Sequence, residues 1–173
     1  MTEQSEVLGS NLTSVIKRLK ARGMDKDYNI LTSERSMVAI GHYGIKSWIN
    51  VMEKIAKADM IFIDDHAPVF DWFTLDDKTT LIQLWHAGAG FKSSGYSRWG
   101  NSGCPGPVNC HRQYKYGIAG SKRIAHFFSE VFGINEEQVL PTGMPRMDEY
   151  LDPEYKEEKT IRLHQEFPMI KSS

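Results

Sequence analysis

His86 stands where an apolar run ends and a glycine-rich turn begins, in the segment LIQLWHAGAGFK from Leu81 to Lys92. Histidine is the side chain best suited to moving protons near neutral pH. Gly88 and Gly90 let backbone N–H groups approach a ligand closely, and Lys92 can neutralise a phosphate. A base, a backbone cradle and a cation thus fall within the seven residues from 86 to 92, a combination compatible with many phosphate chemistries.

A second segment, Thr142-Gly143-Met144-Pro145-Arg146-Met147-Asp148, pairs a guanidinium with a carboxylate around a turn. Arg146 can fork onto phosphate oxygens while Asp148 holds it in place, or the two can form a structural ion pair that fixes the turn. Asp64-Asp65-His66 could suggest a hard-cation site, but aspartates at a strand end equally cap helices and form turns. Cys104 and Cys110, followed by His111, are spaced too widely for the common structural zinc sites, so no metal site is expected and the two cysteines read as loop thiols. The run from Gly88 to Ser93 is not a P-loop, because Phe91 rather than Gly precedes Lys92. Tyr96, Arg98, Trp99, Arg112, Tyr114, Lys115 and Tyr116 interleave aromatic and basic residues, a pattern that can stack on and grip an anionic polymer.

The elements that must position these residues follow from periodicity. Leu12, Val15, Ile16 and Leu19 repeat at helical spacing, with Asn11 as a good cap and Gly23 as a stop. Asp27 to Thr32 reads as a short strand, and Ile45, Trp48, Ile49, Met52, Ile55 and Ala56 form a second helical stripe. Met60 to Ile63 and Thr80 to Trp85 read as buried strands. Tyr116 to Ala119 and Gln138 to Pro141 read as two more. Between them Ser121 caps a helix carrying Ile124, Phe127, Phe128, Val131 and Phe132, and Pro153 to Phe167 forms a charged helix. Strands alternating with helices predict a parallel sheet, whose ligands gather beyond the carboxyl ends of the strands. Asp64, Asp65, His66 and His86 all belong there. The stretch from Ser93 to Val108, rich in Gly, Pro and Ser, is long enough for a mobile flap.

Composition narrows the classes. The 173 residues carry 21 Lys+Arg against 22 Asp+Glu, so no global field recruits nucleic acid or anionic membrane. No apolar run approaches the ~20 residues that span a bilayer, and the polar start does not form a signal peptide, so the chain reads as cytoplasmic.

WHAGAGFK at Trp85 to Lys92 and PTGMPRMDEYL at Pro141 to Leu151 together carry a resemblance. The chain resembles the CDP-glycerol:polyol-phosphate glycerophosphotransferases that build teichoic acids and related capsular polymers. One departure is local: the family pattern places glycine directly after the histidine, where this chain has Ala87.

That resemblance implies an α/β fold with a Rossmann-like parallel sheet and flanking helices, forming the acceptor-side half of a two-domain GT-B arrangement. Residues 1–151 would be a partial N-terminal, acceptor-side domain, and 152–173 an interdomain helix and the start of a donor domain. The activity implied is transfer of glycerol phosphate from CDP-glycerol to a lipid-linked polyol-phosphate or glycan acceptor, without a cofactor, at the inner membrane face. His86 would be the base. Gly88, Gly90, Lys92, Arg146 and Asp148 would bind substrate. Taken alone, the chain is expected to show weak or no activity. Two other readings are a GT-B glycosyltransferase using a nucleotide-sugar donor and a non-catalytic polymer- or partner-binding module. Donor screening and polymer binding without turnover, respectively, would distinguish them.

Overall fold

The computed structural model of the chain describes residues 1, 4–5, 7–33, 35–36, 44–88, 93–98 and 109–170. Two short strands, β1 (Gln4–Ser5) and β2 (Arg35–Ser36), pair antiparallel. The helix α1 (Ser10–Ala21) lies between them, and α2 (Ile45–Ala56) leads into the main sheet. Its strands are β3 (Met60–Ile63), β4 (Thr80–Gln83), β5 (Tyr114–Ile118) and β6 (Val139–Leu140), all parallel, in the order β3-β4-β5-β6. The short helix α3 (Asn109–Arg112) precedes β5, α4 (Ala125–Phe132) connects β5 to β6, and α5 (Asp148–Leu151) and α6 (Pro153–Glu166) follow.

The period-2 alternation of the strands divides the core between two faces. Ile61, Ile63 and Leu81 face one side with Val51 and Ile55 of α2 and Phe128 and Phe132 of α4. Phe62, Ile82 and Ile118 face the other, where Leu12 and Val15 of α1 cover them. Fully burying one such side chain contributes roughly 1.5–3 kcal/mol, so these two layers hold the strand ends in register. Phe132 is the hub of the first layer, edge-on to Trp85 at 5.5 Å and to Tyr114 at 5.4 Å between centroids. It approaches β5 closely because Gly117 has no side chain: a Cβ there would lie 2.9 Å from the Phe132 ring.

Several sequence expectations change. Asp27–Thr32 is not a strand; its residues from Tyr28 to Thr32 border an apolar cavity of about 490 Å3 between α1, α2 and β3. Asn11 is not the cap of α1, because Gly9 takes that position and Asn11 is buried in the first turn. Gly9 is needed there, since any Cβ would collide with the buried Asp64 carboxylate at the positive end of the helix. Asp64 therefore has a structural place. Of the expected α2 stripe Ile55 is buried while Ile45, Ile49 and Met52 are exposed, and the helix buries Val51, which lies outside that stripe, instead. Ser121 introduces a 3-10 turn, and α4 proper starts at Ala125. Gly23 does stop α1, with φ of 73°. No helix among the described residues is long and apolar enough to cross a membrane.

Candidate active site

His86 follows the carboxyl end of β4 on a backbone that ordinary residues avoid. Trp85, just before it, has φ of 56°, the left-handed region, which is costly for a bulky side chain unless its surroundings enforce it. Two buried amides do so. Gln83 accepts the Trp85 N–H through Oε1 at 2.8 Å, and Asn11 donates to the Trp85 carbonyl through Nδ2 at 2.7 Å. Trp85 is also braced by Phe132, and the His86 ring stacks on it with centroids 4.7 Å apart at 27°. The turn thereby presents a half-exposed imidazole.

Gln83 is fully buried in the strand and has a second task. Its Nε2 donates to the Asp65 carbonyl at 3.1 Å and to the Tyr114 hydroxyl at 3.0 Å. Asp65 is thus fixed relative to Trp85 by one side chain. Its Oδ1 accepts the His66 N–H at 2.7 Å, and its Oδ2 lies 3.5 Å from His86 Nδ1.

The loop after β6 closes the site from the other side. Asn11 Oδ1 accepts the Arg146 N–H at 3.1 Å, and Arg146 Nη2 donates to the His86 carbonyl at 2.9 Å. Asn11 therefore ties both sequence motifs to α1. No ion pair joins Arg146 and Asp148 among the described residues. Asp148 opens α5 and lines a hollow of about 260 Å3 with Ser14, Arg18 and Arg22. Gly88 lies under Met144, where a Cβ would stand 3.0 Å from its Cγ, and the Gly88 carbonyl presses on Gly120. Gly90 and Lys92 fall outside the described residues, as do Trp99 and Cys104; of Cys110 only the backbone is described.

Beside this site lies a histidine pair. His66 Nε2 is 3.0 Å from Asp71 Oδ2, and its ring stacks on buried His111 at 5.5 Å. Burial, reinforced by His66 and opposed by Asp71, pushes the His111 pKa down to about 4. Among the described residues, no group of three or more His, Cys, Asp or Glu could hold a metal ion. The aromatic-basic strip is not one surface: Tyr114 is buried in the core, and Tyr96 packs on His111 with its hydroxyl accepting from Arg112 Nε at 3.2 Å.

Neither Gln83 nor the joining role of Asn11 is among the features that the sequence alone singles out. Gln83 did carry a signal, as the one amide inside an otherwise apolar strand run.

A parallel α/β sheet with a histidine and a carboxylate beyond its strand ends defines the class of site. The family model described as CDP-Glycerol:Poly(glycerophosphate) glycerophosphotransferase matches residues 11–172, and the chain belongs to that family. It is 31% identical over 172 residues to the teichoic acid ribitol-phosphate polymerase TarL of Staphylococcus aureus, a match covering 98% of this chain and 30% of that protein. It is 39% identical over 117 residues to a teichoic acid poly(ribitol-phosphate) polymerase of Bacillus spizizenii, covering 67% of this chain and 19% of that protein. The chain therefore spans under a third of the length of these relatives. Its fold is that of the wall teichoic acid polymerase TagF, with a TM-score of 0.69 at 14% identity, over 99% of this chain and 44% of that one. A variant of that polymerase soaked with CDPG matches with a TM-score of 0.65 at 12% identity, over 99% of this chain and 45% of that one.

Proposed function

We propose that this chain forms the acceptor side of a transferase that moves a polyol phosphate from a CDP-activated donor to a growing cell-wall or capsule polymer. The observation that carries this reading is the placement of His86, half-exposed beyond β4 on a left-handed turn locked by Asn11 and Gln83. As the acceptor hydroxyl attacks the donor's polyol-linked phosphorus, Nε2 of His86 takes its proton. The new O–P bond forms, the bond from that phosphorus to CMP breaks, and CMP leaves with the electron pair. The Gly88 backbone, Arg146 and the residues Gly90, Lys92 and Asp148 supply the substrate contacts.

The donor is CDP-glycerol after the family's description, and CDP-ribitol is the alternative suggested by the relatives' names. The acceptor is a lipid-linked polyol phosphate or glycan, which brings the enzyme peripherally to the inner face of the cell membrane. Residues 1–151 are the acceptor-side domain, and 152–173 connect it to a donor-holding domain. The apolar exposure of Ile161, Leu163 and Phe167 on and just after α6, at 52%, 42% and 51%, supports a further partner for that helix.

The test is a donor assay on the intact gene product, with a lipid-linked acceptor and CDP-glycerol, CDP-ribitol or a nucleotide sugar. CMP release coupled to polymer labelling by a CDP-polyol is expected. Transfer from the nucleotide sugar alone contradicts the reading.

A further inference from the structure

We propose that Asp65 is the positioning residue for His86, holding its ring in the tautomer that carries the proton on Nδ1 and leaves the lone pair on Nε2. This rests on the reading of His86 as the base, and it names the group that prepares it.

β3 and β4 are parallel neighbours with Ile63 opposite Gln83, so the residues just beyond their carboxyl ends emerge side by side. Asp65 is two residues past β3 and His86 three past β4. Oδ2 and Nδ1 stand 3.5 Å apart. That is an ion-pair distance somewhat longer than a direct hydrogen bond, and such contacts tighten when substrate closes a site.

Neither partner is free to drift. Asp65 Oδ1 is engaged by the His66 N–H at 2.7 Å, which leaves Oδ2 for the imidazole. The Gln83 amide holds the Asp65 carbonyl with one end and the Trp85 N–H with the other. The imidazole lies against the Trp85 indole, itself braced by Phe132. A free histidine in water carries its proton mainly on Nε2, the wrong nitrogen to serve as the base here. A carboxylate at Nδ1 reverses that preference and then stabilises the imidazolium formed when Nε2 takes the acceptor's proton. If Asp65 only closed its own turn, the bond from His66 N–H to Oδ1 would suffice and the contact to His86 would have no consequence.

Asp65→Asn separates the two roles. An asparagine keeps an oxygen for the His66 N–H and offers its NH2 to Nδ1, which favours a lone pair there and moves the imidazole proton to Nε2. Nitrogen-15 correlation spectra of the histidine-labelled 173-residue chain, taken above the histidine titration range, read the tautomer directly. The expected result is Nδ1–H in the wild type and Nε2–H in Asp65→Asn. An Nε2–H wild type overturns the proposal whether or not the variant folds, and so does a folded variant with the wild-type tautomer. In the intact protein Asp65→Asn should lower kcat about a hundredfold with KM little changed; unchanged kcat also overturns it. Because the tautomer is read without turnover, an active His86→Gln enzyme would sink the base assignment and leave the tautomer result standing.

Discussion

Arg146 and His86, 60 residues apart, are joined by one hydrogen bond from the guanidinium Nη2 to the histidine carbonyl at 2.9 Å. The two motifs that carry the family resemblance thus meet at the backbone of the proposed base. Arg146 thus fixes the backbone of the proposed base, and on that reading its remaining guanidinium donors serve a phosphate oxygen.

Arg146→Lys keeps the charge but loses the planar fork. We expect kcat to fall about tenfold, equivalent to ~1.4 kcal/mol of lost positioning. Steady-state kinetics of the intact protein check this, and full activity in the lysine variant would show that the bond to His86 is idle.

Asn11→Ala removes the amide that serves both Trp85 and Arg146. The carbonyl and N–H it leaves behind lie in a part-buried interface, so destabilisation of ~2 kcal/mol is expected together with loss of activity. Urea unfolding of the chain measures the first. A change below about 0.5 kcal/mol would mean that the surface pairs water with both groups at little cost.

Gly120→Ala places a methyl against the Gly88 carbonyl, which is backbone and cannot swing aside. Overpacking of this kind costs ~1–3 kcal/mol. The displaced loop should impair turnover more than the stability loss alone explains. Activity measured at full folding separates the two effects.

His111 makes stability depend on acid. Its folded pKa of about 4 lies below the ordinary 6.5, so between those values the unfolded chain binds more protons than the folded one. The contribution is fully present above about pH 6.5 and is lost as pH falls to about 4. His111 Nδ1 has no hydrogen-bond partner among the described residues, so His111→Phe is expected to fold and to flatten the stability loss over that window. Unfolding curves at several pH values check it; an unchanged slope would assign the loss to other groups.

Much of the sheet was legible because its strands are short apolar runs between turn formers. MIFI gave β3 its observed ends, Met60 and Ile63, and Phe128 and Phe132 marked the inward face of α4. Asp27–Thr32 has similar residue types, but a strand also requires a partner edge, and here Tyr28 to Thr32 line a cavity. Tyr114 read as a surface stacking group, yet the Gln83 amide satisfies its hydroxyl and lets it enter the core. Asn11 read as a cap because asparagine caps helices. Its actual partners are Trp85 and Arg146, contacts spanning 74 and 135 residues that no local pattern encodes. The histidine was visible in its strand-turn context, whereas the carboxylate beside it depended on the register of β3 against β4.

Transfer by a His86→Gln variant of the intact protein, measured as kcat with CDP-glycerol and with CDP-ribitol, tests the role of His86 most directly. Glutamine keeps the backbone bonds of residue 86 and removes only the proposed base, so a fall of ~10²–10⁴ with the fold preserved is expected. Turnover within about twofold of wild type in a folded His86→Gln protein would contradict it.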